Sequence, residues 1–584
     1  MVQQVSWKVG GQQGEGIEST GEIFAKTLNR LGYHLYGYRH FSSRIKGGHT
    51  NNNIRISTTP VQAIADQVDI LVAFDQESID FCFHELRPGA MILAESAIQP
   101  HLPPGKDAIL CPLPLTALAT EAGAARMKNM VAIGASLALL GISSELCQNV
   151  VREIFAAKGE AVVNSNLVAL QSGETALRAL FPEQHPDLRL APGDGRKRLF
   201  MIGNETTALG ALAGGCRFMA AYPITPASDI MEYLTRKLPL FGGVMVQTED
   251  EIAAVTMAIG ANHAGVRAIT ASSGPGLALM TEAIGLAGMT ETPLVVIDVQ
   301  RAGPSTGMPT KEEQADLLAI LYASPGEIPK IVIAPDSAEA AFYDSIEALN
   351  LAEEFQCPVI LLSDLQLGMA QQTLSDLDYG RIQIRRGKLD LHPQLPEQSE
   401  PIPRKRFLLS ADGISPRFLP GVQNGIFHVT GLEHDEIGRP AESAANRQAQ
   451  TEKRLRKLDS LTFADPVRIN QRHANPDLLL VGWNATGGAI AEARERLEAD
   501  NISANCAQVR LFQPFPTATL TPLLAAARQV IVIEQNATGQ LAQLLQMHVP
   551  ASAEKIVSLR KYDGNPFKPG EIDSRIREVL HGHS

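Results

Sequence analysis

Three short stretches carry side chains that could do chemistry. Tyr222-Pro223-Ile224-Thr225-Pro226 sets two prolines in one loop. Each proline fixes its own φ and pushes the residue before it towards extended backbone, so the Thr225 hydroxyl is presented from a rigid loop. Glu249-Asp250-Glu251 comes next, after Val244–Gln247, which reads as a short buried strand. Negative charge suits the start of a helix, and a charged helix start is the plain account of this trio. However, residues 252–261 are apolar nearly all round, which predicts a buried helix. A carboxylate at its mouth would be partly desolvated and able to share a proton with a ligand nitrogen. The third stretch is Gln300-Arg-Ala-Gly-Pro-Ser-Thr-Gly-Met-Pro-Thr310. It follows an apolar strand candidate at residues 294–299, so Arg301 stands at a strand C-terminal end, where ligands gather in open α/β sheets. A surface ion pair is the alternative for Arg301.

Other stretches offer less. Residues 5–9 read as a strand, the glycine-rich 10–16 as a turn and 17–31 as a helix, a possible anion cradle at a helix N-terminus. The glycine spacing is not GxGxxG, and no acidic residue closes the next strand near residues 36–40, so a dinucleotide site is disfavoured. Residues 39–53 gather basic side chains and three asparagines around Gly47-Gly48. A solvated basic loop is the plain account; the sharper one has Arg44, Lys46 and His49 reaching an anionic ligand. Cys82, Cys111, Cys147, Cys216, Cys357 and Cys506 are scattered. An iron–sulfur cluster needs grouped thiolates, so none is expected on this chain. Glu433-His434-Asp435-Glu436 reads as an acidic turn, because one histidine among local acids is weak support for a metal site. No metal ligands are assigned.

These residues must be positioned by α/β elements. Residues 1–185 alternate strand and helix patterns and form a small α/β domain, with 69–74 and 90–94 as parallel strands. Residues 186–197 read as a proline-rich linker. Residues 198–370 form a second α/β domain, with 200–203 as its first strand. Across 371–470 the pattern breaks into an extended excursion ending in a charged helix at 442–458, solvated on one face. Residues 471–584 form a third α/β domain, with strands at 478–483 and 530–534. The fold class is therefore α/β, with three doubly wound domains. A net charge of -12 argues against a nucleic-acid partner. No apolar run reaches membrane-spanning length, and the N-terminus lacks the basic start and apolar core of a signal peptide, so a cytoplasmic location is expected.

The YPITP loop, the EDEIAA helix start and the QRAGPSTGMPT loop, in that order, resemble the α subunit of 2-oxoacid:ferredoxin oxidoreductases. The similarity runs over most of the chain and includes an N-terminal γ-type domain fused to it. The resemblance implies a thiamine diphosphate enzyme that makes acyl-CoA from a 2-oxoacid and CoA, releases CO2 and passes electrons to ferredoxin. It implies that residues 198–370 bind the pyrimidine end of the cofactor, with Tyr222, Pro223, Ile224 and Glu251 facing it. Glu251 would activate the aminopyrimidine ring, with Glu249 the rival. Thr225, Arg301 and Thr310 match positions that hold the oxoacid, and a guanidinium does fork a carboxylate. Thiamine enzymes begin their magnesium–diphosphate motif with GDG, and Gly193-Asp194-Gly195 could mislead. No asparagine ligand follows it at the required distance, so it reads as a turn. The resemblance therefore implies a β subunit that carries the Mg2+–diphosphate site and a 4Fe–4S cluster, in an (αβ)2 assembly. It also places the γ-type domain over the active site. Ser42, Arg44, Lys46 and His49 would then meet a distal carboxylate or CoA, which favours 2-oxoglutarate over pyruvate or a branched oxoacid. Carboxylation in reverse is open with a strong reductant. The C-terminal domain resembles the transketolase C-terminal type. A non-oxidative thiamine enzyme would be expected to carry its own diphosphate motif.

Overall fold

The computed structural model describes residues 1–41, 48–105, 107–181, 185, 187–394 and 403–582. Three sheets of mostly parallel strands, flanked by helices, make up two compact units. One unit comprises residues 1–201, 369–376 and 568–574; the other comprises 202–368, 377–567 and 575–584. Among the described residues no helix is long and apolar enough to cross a membrane.

The first unit is built on eight strands. Gln4–Gln12 lies at the centre, parallel to Val68–Ala73 and antiparallel to His49–Ser57. The strand outruns its expected end by three residues. Gly10 and Gly11 stay extended opposite Asn51 and Thr50, and the glycine-rich turn shrinks to the residues just before the helix Ile17–Arg30. Thr50 and the three asparagines, expected in a solvated loop, belong to His49–Ser57, whose backbone is paired on both sides. Pairing satisfies the main chain, so asparagine's preference for turns is overridden. Leu199–Ile202 does not open the next sheet as expected but forms the far edge of this one. Helices Lys128–Leu139 and Glu160–Leu180 touch backbone to backbone, and a Cβ on Gly134 or Gly173 would strike the carbonyl of Leu170 or Val131. The Trp7 and Phe24 rings pack at 4.3 Å, tilted by 34°, inside the core.

The second unit holds the other two sheets. Seven strands run in the order Leu511–Gln513, Ile331–Ile333, Pro358–Asp364, Leu294–Gln300, Ala268–Ser272, Phe218–Ala221, Val244–Gln247, all parallel except the first. Five more, centred on Leu478–Gly482, form the third sheet, with Val467–Asn470 antiparallel at one edge. One apolar core joins the two sheets, from Val296 and Ile360 to Val481 and Val532. Val244–Gln247 is an edge strand and is not buried. The helix Glu251–His263 is only half-buried: Ala254, Val255 and Ala258 face the core, whereas Ile252 is 49% exposed. An all-apolar sequence gives no stripe to tell a core face from an outer one.

Candidate active site

The site is assembled in the second unit at the C-terminal ends of its parallel strands. Asp250, in extended backbone, caps the helix Glu251–His263 by accepting from the Ala253 N–H at 2.7 Å. The cap delivers Glu251 as the first helical residue. Glu251 is 6% exposed, whereas Glu249 is exposed and lies outside the helix. Beside Glu251 runs the first turn of helix Gly274–Met289. A Cβ on Gly276 would stand 2.6 Å from Glu251 Oε1 and would strike Ser272 Oγ, so only glycine lets these two side chains pack this closely against the helix. The Ser272 and Ser273 hydroxyls are buried without hydrogen-bond partners among the described residues.

The two loops meet through Arg301. This buried residue follows the strand Leu294–Gln300, and its Nη1 donates to the Thr225 carbonyl at 2.6 Å. The Thr225 loop is held from the other side by Asn204, whose Nδ2 donates to the Pro226 carbonyl at 2.8 Å. Burial lowers the Arg301 pKa against the opposing pull of Asp316 and Glu251. After Arg301 the chain turns back on itself: the Ala302 N–H donates to the Lys311 carbonyl, and Glu313 accepts from the Gly303 N–H. Thr310 therefore returns near Arg301 along the chain, half-buried. Tyr222 is exposed, Pro223 is half-buried, and Ile224 packs onto the core.

Glu251, Thr225 and Arg301 are thus brought together. His49 belongs to the first unit and is buried there. Its ring lies 3.0 Å from Asn51 Nδ2, 3.5 Å from Ser78 Oγ and 4.4 Å, centroid to centroid, from Phe81. Ser42, Arg44 and Lys46 lie outside the described residues. The turn at Gly193–Gly195 rests on Gly32, and Asp194 accepts from the Arg196 N–H at 2.9 Å. In the acidic turn, Glu433 pairs with Arg454 at 2.7 Å, and the His434 ring lies 4.0 Å from that of Phe407. All six cysteines are buried, and burial pushes the thiols up, to about 12 for Cys216 and Cys506. Sequence reasoning missed two carboxylates, Asp298 and Asp316. For Asp298 the signal was present: it is the one charged residue in the buried strand LVVIDVQ.

Residues 209–453 match the family described as "Pyruvate flavodoxin/ferredoxin oxidoreductase, thiamine diP-bdg". Residues 6–176 match "Pyruvate ferredoxin/flavodoxin oxidoreductase", and 476–572 match "Pyruvate:ferredoxin oxidoreductase core domain II". The 2-oxoacid:ferredoxin oxidoreductase subunit alpha of Saccharolobus solfataricus is 34% identical, over 99% of this chain and 98% of that protein. This chain belongs to the 2-oxoacid:ferredoxin oxidoreductase alpha-subunit family. It is an oxidoreductase subunit with a thiamine diphosphate-binding region, and the site built on Glu251 and Arg301 falls within that region. The 2-oxoglutarate oxidoreductase subunit KorA of Mycobacterium tuberculosis is 31% identical, over all of this chain and 92% of that protein. The solved 2-oxoglutarate:ferredoxin oxidoreductase of Magnetococcus marinus, with 2-oxoglutarate, coenzyme A and succinyl-CoA bound, superposes with a TM-score of 0.90 at 34% identity, over 99% of this chain and 100% of that one.

Proposed function

We propose that the chain is the α subunit, with a fused γ-type domain, of an enzyme that converts 2-oxoglutarate and CoA to succinyl-CoA and CO2 and passes the electrons to ferredoxin. The observation that carries this reading is the full-length likeness to the Magnetococcus marinus enzyme. The reverse carboxylation uses the same site with a strong reductant.

The residues present fit the pyrimidine end of thiamine diphosphate. Glu251 presents a buried carboxylate beside the Ser272 hydroxyl, which has no hydrogen-bond partner among the described residues, as a group that meets a ring nitrogen must. Thiamine diphosphate, when bound, supplies a nucleophilic carbon and an electron sink for decarboxylation. Glu251 holds a proton against the ring nitrogen; its burial and its single position at the helix start support it over Glu249. Arg301 receives the oxoacid carboxylate, its orientation set by the Thr225 carbonyl. The Thr225 and Thr310 hydroxyls complete that anchor, and Tyr222, Pro223 and Ile224 wall the ring. Ser42, Arg44, Lys46 and His49 act on the distal carboxylate or on CoA. A β subunit brings the Mg2+–diphosphate site and the 4Fe–4S cluster, in an (αβ)2 complex in the cytoplasm.

Pyruvate is the second reading, because all three matching families are described for pyruvate. The test is to reconstitute the complex and assay it with each oxoacid, CoA and a one-electron dye. Faster turnover with 2-oxoglutarate is expected. A clear preference for pyruvate overturns the substrate, and thioester formation by this chain alone overturns the division between subunits.

A further inference from the structure

On and beside the strand that leads into Arg301 are two carboxyl groups without a role in the proposed function. Asp298, on the strand Leu294–Gln300, is wholly buried, and neither of its oxygens has a hydrogen-bond partner among the described residues. Asp316 is tied to the same strand, because its N–H donates to Gln300 Oε1 at 3.0 Å. The Gln300 side chain is itself fixed by donating to the Ser363 carbonyl at 3.1 Å. The Asp316 carboxyl lies against the start of helix Gly274–Met289: a Cβ on Gly274 would stand 2.5 Å from Oδ2, 2.6 Å from Oδ1 and 2.8 Å from Cγ. Asp316 Oδ2 and Arg301 Nε are both buried without partners among the described residues. A glycine at 274 is what admits the carboxyl group to this place.

We infer that Asp316, backed by Asp298, is a positioning residue that sets how strongly Arg301 holds the substrate carboxylate. The inference rests on the reading of Arg301 as the carboxylate anchor. Asp298 on the strand and Glu313 on the returning loop are the carboxyl groups coupled to Asp316 by charge, and Arg301 is the cation that feels both Asp316 and Glu251. In dry surroundings the two aspartates cannot both ionise. Burial and Asp316 push the Asp298 carboxyl well above the usual carboxylate range. Burial and Glu313 push Asp316 up to about 6, against the pull of Arg301. Ionised, Asp316 competes with the substrate for the guanidinium. Protonated, it leaves Arg301 to the substrate, so oxoacid binding tightens as pH falls through about 6.

The experiment uses the complex reconstituted with its partner subunit, with 2-oxoglutarate and pyruvate as probes. For the wild type, KM for the oxoacid is expected to fall on the order of tenfold on going from neutral to mildly acid pH, the size of one pKa unit of differential interaction. In Asp316→Asn the KM should be low and flat with pH. Asp316→Glu should restore the break. Infrared titration of the same complex without substrate should show a carboxylic-acid carbonyl band growing near pH 6, absent from Asp316→Asn. A wild-type KM that is flat across this range overturns the inference, even if the variants do not fold. If Arg301→Ala leaves KM unchanged, the carboxylate reading of Arg301 falls and takes the inference with it. If Arg301→Ala raises KM but Asp316→Asn keeps the wild-type profile, the inference alone falls.

Discussion

At Glu251 a single carboxylate is singled out from a trio of acids by the geometry of a helix cap. Asp250 is used up by the cap, Glu249 points away from the core, and only Glu251 is buried. Glu251→Ala is therefore expected to lower kcat by at least about a hundredfold with every oxoacid, in the range of a lost general acid–base. Glu249→Ala should leave it close to wild type, and steady-state kinetics with two oxoacids checks both. Gly276→Ala is a sharper test of the close packing around Glu251. The added methyl would meet Glu251 Oε1 and Ser272 Oγ, so activity should be lost while the fold persists, as seen by circular dichroism. Arg44→Ala or Lys46→Ala should penalise 2-oxoglutarate and spare pyruvate, read as the ratio of kcat/KM values.

At the scale of elements, charge fastens the excursion to the second unit. Glu353, on helix Ala338–Phe355, is buried among Arg267 at 3.4 Å, Arg417 at 3.2 Å and Arg386. Glu291, also buried, holds Lys453 and Lys457 from the charged helix region, the latter at 2.7 Å. The side of that helix turned inwards is thus its charged one, since Gln450, Lys453 and Arg454 are buried. Glu353→Gln would leave buried arginines without their counter-charge and should destabilise the chain by about 3–5 kcal/mol, measured by urea unfolding. In the first unit, Lys8 and Lys568 flank Glu85 at 2.7 and 3.4 Å. Burial opposes the Glu85 charge, but the lysines prevail and bring its pKa down from 4.5 to about 2. A carboxyl lowered on folding contributes stability that is present above its ordinary pKa and is lost as pH falls through the folded value. Glu85→Gln should therefore lower stability at neutral pH, and the gap to wild type should close as pH drops from about 4.5 towards 2.

For the whole molecule, membership of the family sets the central expectation: this chain builds one half of a reaction chamber. Purified alone, it should bind no stable metal cluster and turn over no oxoacid. Joined to a partner rich in cysteine, it should yield a brown complex containing thiamine diphosphate. Absorbance, metal analysis and a dye-reduction assay on the same fractions check this.

How much of this was readable from residues alone follows from the range of the interactions. Local rules reached the alternation of strands and helices, the proline loop and a helix start at the acidic trio 249–251, because backbone preference and helix-end charge act within a few residues. They also placed Arg301 at a strand end. They failed where partners are distant in sequence. Asn51 to Asn53 look like loop residues until strands on both sides satisfy their backbone, and Leu199–Ile202 joined the first sheet because pairing there was available. Nothing near Arg301 in the sequence names Thr225, 76 residues away, as the carbonyl it grips. Nor does anything near Asp316 show that its carboxyl lies against Gly274. Burial decides what a carboxylate can do, and burial is a property of the packed whole.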